Sequence, residues 1–534
     1  MKYVLKGRVA ALDVDFTVLP AGAVYIDGQN IAAVQDDAAP SPPGFADATV
    51  LPAAGTIFPG LIELHNHLSY NALTMWAVPR KFADRGQWQD NAQYKRRVTG
   101  PMGTIARSND PHLLAALVRY VETKCLLGGV TSSQGISLQS EHLSAYYRGA
   151  MRVVEDPAEH GFPKASTHIP DVEAADWAQF KRVLGRASCL LLHLSEGLDN
   201  KARDAFLALR NDQGQWAISP ALTGIHCAGL RPEDFAVLAQ HGGAMVWSPL
   251  SNLLLYGGTT NVAAAREADV PIGLGSDWSP TGSKNLLNEL KVAKAVGEVG
   301  GLGFADRDLV AMATRVPASI VKWGALVGSL EPGKRADLIV VDCPNGTDPY
   351  AGLIRAREID IRLVMIDGRP VVGAPEVMAA LGGAGEGLAI GGEQRVIDYG
   401  AADPKIPAVT YAEARSALGD ALQRLPHLLA DEAAGRGVGP RPLAARAPQW
   451  RLTLDEQQPT GFALRPRLLL AGQPTGPDVS LDRTLAALAA VPLEPVPLDP
   501  VCVADDPGYA AALQAQKNLD PAIKEALQTY YPTR

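Results

Sequence analysis

The stretch Phe58-Pro-Gly-Leu-Ile-Glu-Leu-His65-Asn66-His67 sets the architecture: an apolar run finishes in two histidines separated by one residue. In a β-strand, residues i and i+2 share a face, so both imidazoles can converge on one ion. Other apolar runs end the same way. Cys189-Leu-Leu-Leu-His193 closes on a histidine and continues into Leu194-Ser195-Glu196, and Leu222-Thr-Gly-Ile-His226 closes on another. Pro271-Ile-Gly-Leu-Gly-Ser-Asp277 opens into a carboxylate whose small neighbours let a ligand approach. Near-continuous apolar strands of this kind are what a parallel sheet covered on both faces requires.

Working outward, eight strand-like runs fall between residues 57 and 327: Thr56 to Leu64, Gly129 to Ser133, Met151 to Glu155, Ala165 to His168, Ser188 to Leu194, Leu222 to His226, Ala244 to Ser248 and Ile272 to Gly275. Helical periodicity lies between many of them, as in Pro111 to Leu127, Asp171 to Leu184 and Arg231 to Gln240. Alternating strands and helices predict an α/β fold, a (β/α)8 TIM-like barrel over residues 57–327 with its chemistry at the carboxyl ends of the strands. Short strands with turn signals occupy 1–56 and return at 328–372, so both flanks are expected to build one small β-sandwich domain. A glycine-rich run, Gly382 to Gly387 with Gly391-Gly392, predicts a flexible junction into an α-rich C-terminal extension over 373–534, with helices at Tyr411 to Ala430 and Ala510 to Thr529.

Composition narrows the function classes. The 534 residues are 47% hydrophobic and 20% charged, as in an ordinary globular protein. Acidic side chains outnumber basic ones, 57 to 49, with no long basic run, which argues against nucleic acid as a partner. No apolar stretch is long enough to span a membrane, and the opening Met1-Lys-Tyr-Val-Leu-Lys-Gly-Arg8 is charged too early for a signal peptide, so a cytoplasmic protein is expected. Five scattered cysteines without a C-x-x-C pair indicate neither a disulfide framework nor a thiolate zinc site. Imidazoles plus one carboxylate suit one divalent metal, Zn2+ first and Fe2+ second, rather than magnesium or calcium. Three histidines and Asp277 would leave a position for water, whose pKa on such a metal can fall to about 7.

These residues resemble the pattern of the amidohydrolase superfamily, most closely its cytosine deaminase and chlorohydrolase-like branch. The resemblance covers roughly residues 1–372 and rests on Pro59 to His67, His193-Leu-Ser-Glu196, His226, Ser248-Pro-Leu-Ser-Asn-Leu-Leu-Leu-Tyr-Gly257 and Gly273-Leu-Gly-Ser-Asp277. It implies that His65, His67, His193 and Asp277 hold the metal, that His226 polarises the attacked group or orients the water, and that Glu196 shuttles the proton. A carboxylate three residues beyond a ligand suits that task on chemical grounds, and Asp277 can share the base role. Binuclear relatives carry a carboxylated lysine at the fourth strand. Here Lys164 and His168 are the nearest candidates, so a single metal is expected and His168 is assigned a substrate contact.

The segment Leu68 to Gly103 follows the first strand and should fold over the mouth of the barrel. Tyr70, Trp76 and Trp88 offer faces to a planar heterocycle, while Arg80 and Lys81 offer cations to an acidic group. With His168, Tyr70, Trp76 and Asn252 make up the candidate substrate contacts. The expected protein is a metal-dependent hydrolase that cleaves a C–N bond of a small molecule by deaminating a planar nitrogenous ring, and it is expected to form a homodimer. The alternatives are a hydrolase of cyclic amide, ureido or C–Cl bonds on the same site, and a non-catalytic scaffold of the same fold.

Overall fold

The computed structural model describes residues 1–108, 110–140, 143–168, 177–344, 346–429, 449–454 and 493–531. Eight short parallel strands carry its centre. Leu61–Glu63, Val130–Ser133 and Arg152–Val153 pair in that order in one sheet, and Ala165–His168, Cys189–Leu194, Leu222–His226, Ala244–Trp247 and Ile272–Leu274 pair in order in a second. The strands Cys189–Leu194, Leu222–His226 and Ala244–Trp247 are buried at every position, which accounts for their unbroken apolar sequences.

Helices return the chain between strands. Pro111–Leu127 starts at Asp110, whose side chain accepts from the His112 N–H at 2.9 Å, with Pro111 in the first turn where no N–H is needed. It stops at Gly128, and Gly129 then takes φ +79° to turn the chain into the next strand. Of the helix expected over 171–184, Trp177–Leu184 is present and 171–176 lie outside the described residues. Because strands joined by such crossovers run the same way, their carboxyl ends gather on one side.

Both flanks contribute to a nine-stranded sheet, ordered Glu386–Ile390, Glu393–Ile397, Arg369–Gly373, Ile361–Ile366, Leu338–Val341, Thr49–Pro59, Lys2–Ala10, Val18–Asp27 and Asn30–Asp36. By its hydrogen bonds this is one continuous sheet built from both flanks, as strands from 1–56 and 328–372 were expected to combine. It also runs on past residue 373: Gly391 and Gly392, with φ of +54° and +87°, form the hairpin turn between the last two strands instead of a flexible junction. Buried Arg152 ties the central strands to this sheet, reaching Asp337, Asp367 at 3.0 Å and Glu159 at 3.2 Å.

The C-terminal part packs onto the rest of the fold. Helix Tyr411–Gln423 lies along Pro111–Leu127, with the Tyr120 and Tyr411 rings stacked at 6.0 Å. The single helix expected over 510–529 is two, Tyr509–Ala515 and Pro521–Gln528. Pro521 cannot continue the first and is well placed to open the second, capped by Asp520 through the Ala522 N–H. Among the described residues, no helix is long and apolar enough to cross a membrane.

Candidate functional site

The carboxyl ends of the first, fifth, sixth and eighth strands bring His65, His67, His193, His226 and Asp277 together, none more than 4% exposed. The first and eighth strand ends lock to each other through backbone bonds, His67 N–H to the Asp277 carbonyl at 2.6 Å and Asp277 N–H to the His65 carbonyl at 3.0 Å. Asp277 and His226 both take left-handed backbone conformations, φ +64° and +67°, which non-glycine residues adopt only under constraint from their surroundings.

The side chains converge. Asp277 Oδ1 lies 3.2 Å from His65 Nε2 and 3.6 Å from His67 Nε2, and His67 Nε2 faces His193 Nε2 at 3.3 Å. Donor atoms of His65, His67 and Asp277 lie within 4.8 Å of one another, as do those of His65, His193 and His226. His65 Nδ1 and His193 Nδ1 are buried without a hydrogen-bond partner among the described residues. Five buried donors in two overlapping groups that share His65 fit a cation better than any protein group, and nitrogen with a single carboxylate fits zinc.

Electrostatics point the same way. Burial, the largest influence, pulls His65 down to about 4 despite the neighbouring Asp277, and carries His193 well below the ordinary histidine value, with Arg85 and the other imidazoles adding to it. Both rings are therefore neutral at pH 7, the form a metal needs. Burial alone would raise Asp277, but the surrounding imidazoles hold it below the usual carboxylate range. For His65 the stability consequence has a definite sign. Between pH 6.5 and about 4 the unfolded chain binds a proton there and the folded chain does not, so metal-free protein is expected to lose stability as pH falls through that window. Urea denaturation of chelator-treated protein at pH 7 and pH 5 measures it.

His226 has a fixed ring state. The Thr260 hydroxyl donates to the His226 carbonyl at 2.6 Å, so its oxygen is left to accept from Asn252 Nδ2 at 3.3 Å, and this turns Asn252 Oδ1 toward His226 Nδ1 at 2.9 Å. Nδ1 thus carries the proton, and Nε2 points into the site 4.0 Å from Asp277 Oδ2 and 3.9 Å from Glu196 Oε2. Asn252, expected against substrate, sits behind His226.

Glu196 lies on the opposite side of His226 from Asn252. Its Oε1 accepts from the Tyr256 hydroxyl at 2.8 Å, that hydroxyl accepts from Trp88 Nε1 at 2.8 Å, and Oε2 lies 3.2 Å from Arg85 Nη1. Burial, reinforced by the Glu196 charge, pushes the Tyr256 phenol far up, so it stays a donor. Converting Tyr256 to Phe removes a charge-assisted hydrogen bond of about 1.5–3 kcal/mol. Turnover is expected to fall at least about tenfold with metal content unchanged, read by steady-state kinetics and metal analysis.

The remaining expected contacts are placed as follows. Tyr70 is fully buried, 5.0 Å from Trp278 and 6.4 Å from the His67 ring. Trp76 packs on Phe82 and Tyr94. His168 ends the fourth strand, but its side chain lies outside the described residues. Arg80 lies over Phe82. Sequence reasoning passed over Glu63, Arg85, Tyr256 and Trp278. Glu63 had a signal, an acid inside the run Leu61 to Leu64: burial pushes its carboxyl up to about 7, and it accepts from the Ser276 N–H at 2.8 Å and Asn66 Nδ2 at 2.9 Å.

Comparison with known proteins finds similar sequences and folds. Residues 217–371 match the model of the amidohydrolase family. A 5-methylthioadenosine/S-adenosylhomocysteine deaminase of Symbiobacterium thermophilum is 26% identical over 416 residues, covering 68% of this chain and 92% of its own. Over residues 217–371 the chain is therefore similar to the amidohydrolase family. A 5'-deoxyadenosine deaminase of Methanothermobacter thermautotrophicus is 22% identical over 384 residues, 65% of this chain and 88% of the relative. Among solved structures, an adenosine deaminase from Xanthomonas campestris with bound zinc shares its fold with TM-score 0.53 at 19% identity, covering 69% of this chain and 92% of that one. Atrazine chlorohydrolase from Arthrobacter aurescens complexed with zinc gives 0.53 at 20%, covering 70% and 95%.

Proposed function

We propose that this protein is a metal-dependent amidohydrolase that deaminates planar nitrogenous heterocycles, with aminopurine nucleosides and their 5'-modified forms as the first substrates to try. The observation that carries the reading is the meeting of His65, His67, His193 and Asp277 with Glu196 and His226 at one edge of the parallel strands. The naming of the similar proteins as adenosine-type deaminases supports the choice of substrate class. We read the eight strands as one closed (β/α)8 barrel beside a small β domain. The bridge between Asn66 and Asp277 joins its first and last strands, and the Ala165 N–H to the Val154 carbonyl at 2.9 Å joins its third and fourth.

Zinc held by His65, His67, His193 and Asp277 would supply Lewis acidity and lower the pKa of water to about 7. Glu196 accepts the proton released as water adds to the ring carbon and delivers it to the departing amino nitrogen, so ammonia leaves and a ring carbonyl remains. Arg85 and Tyr256 hold the Glu196 carboxylate in place while it does so. His226 presents Nε2 to the same space and orients the water or the attacked ring. Trp278, Tyr70 and Trp88 wall the site with aromatic surface next to His67.

Incubating the zinc-loaded protein with adenosine, 5'-methylthioadenosine, S-adenosylhomocysteine, guanine and an aminotriazine tests this. Ammonia release and the mass change of amino-to-hydroxyl exchange are expected for at least one of the purines. Opening of a cyclic amide without ammonia from any amine would overturn the reading.

A further inference from the structure

The C-terminal segment 493–531 reaches the back of this site through one carboxylate. Asp499 is 2% exposed and receives two buried ammonium groups, Lys124 on Oδ2 and Lys284 on Oδ1 at 2.6 Å. Its backbone is held as well: the Asp499 N–H donates to the Ala72 carbonyl at 2.9 Å and its carbonyl accepts the Tyr120 hydroxyl at 2.7 Å. Asp499 therefore sits where the C-terminal segment, helix Pro111–Leu127 and the loop after the first strand meet.

Lys124 spends its other two protons on that loop and its neighbour. It donates to the Asn71 carbonyl at 3.0 Å and to Ser279 Oγ at 2.6 Å. The Asn71 side chain continues the chain of bonds in both directions, donating from Nδ2 to Asn66 Oδ1 at 2.8 Å and accepting the Ser279 N–H at Oδ1, also at 2.8 Å. Asn66 stands between His65 and His67, and Ser279 stands two residues after Asp277. The network thus spans the two loops that carry three of the four candidate metal ligands.

We propose that Asp499 is a positioning residue for the metal centre: by holding Lys124 charged and in place, it fixes the Asn71–Asn66 and Ser279 contacts that aim His65, His67 and Asp277. This rests on the reading of the site as metal-binding. The Lys124 ammonium is satisfied by three acceptors, and only Asp499 is an anion. Burial already pulls its pKa to about 8. Without the carboxylate, burial would draw the lysine lower still, and with an amide in its place a neutral amine would have two N–H donors for three acceptors, the Asn71 carbonyl, Ser279 Oγ and the amide oxygen. Outer groups that orient ligands change metal affinity or activity by about 10- to 100-fold when lost.

The test uses the full chain loaded with zinc or cobalt. Asp499→Asn is expected to release zinc to a chelating dye about 10- to 100-fold faster, to alter the visible spectrum of the cobalt form, and to lower kcat with KM little changed. Removing one cation with the anion, with Lys124→Met and Asp499→Leu together and Lys284 keeping Asp506 at 2.8 Å, should recover part of the melting temperature lost in Asp499→Asn while zinc release stays fast, because the contacts to Asn71 and Ser279 are still gone. The double variant also carries the test if Asp499→Asn fails to fold. Wild-type zinc release and cobalt spectrum in a folded Asp499→Asn, or recovery of slow release together with melting temperature in the double variant, would overturn the proposal and leave Asp499 a support of the fold alone. A wild-type chain that takes up neither zinc nor cobalt would overturn the metal reading itself, before any variant is compared.

Discussion

Replacement of Glu196 by Gln is expected to lower turnover by about 100-fold or more while the protein keeps its metal and its fold. The carboxylate lies among the donors, 3.9 Å from His226 Nε2, yet belongs to neither of the two donor groups that could hold an ion. An amide of the same shape can still accept from Tyr256 through its carbonyl oxygen, so Trp88 and Tyr256 keep their bonds. What the amide cannot do is take a proton from water and return it to a nitrogen. Arg85 loses its anionic partner at 3.2 Å, but the amide oxygen of the same shape still offers its Nη1 an acceptor, which limits the structural cost. Metal content and melting temperature measured beside kcat separate lost proton transfer from damage. Undiminished turnover would reassign Glu196 to a structural part.

Replacement of Asp277 by Ala is expected to have the larger effect, loss of the metal together with turnover by about 1,000-fold or more, because the metal is what makes water acidic enough to react near neutral pH. Asp277 supplies the one carboxylate in the two converging donor groups and would balance the charge of a divalent cation. Its position is also under strain, at φ +64°, a conformation that a small side chain with no polar partner has little reason to keep. Elemental analysis after dialysis and ammonia release at saturating substrate measure the two losses. A variant retaining full metal and full turnover would remove Asp277 from the centre.

The meeting of these side chains was legible because parallel strands joined by crossovers must end on one side, so an apolar run closing on His193 or His226 already says where its histidine goes. Residues that reach the site from other elements gave no such signal. Arg85 lies in a five-residue helix of the long loop, and Tyr256 reaches Glu196 only after helix Pro249–Tyr256 packs beside it. Asn252 lay in a segment tied to the site, but its role depends on the hydroxyl direction of Thr260, which is set by the fold and not by spacing. The glycines at 391 and 392 read as a flexible junction, and only the pairing of Glu386–Ile390 with Glu393–Ile397 shows them to be a hairpin turn. Nothing in the sequence around Asp499 announces a buried carboxylate. Its partners Lys124 and Lys284 stand 375 and 215 residues away.

Anomalous diffraction at the zinc absorption edge, from crystals of the full chain grown with equimolar zinc, locates the ion directly. One peak is expected, at about 2.0–2.2 Å from ring nitrogens of His65, His67 and His193 and from a carboxylate oxygen of Asp277. No peak among these side chains, or a peak bound elsewhere with His67 and His193 still facing each other unbridged, would contradict it.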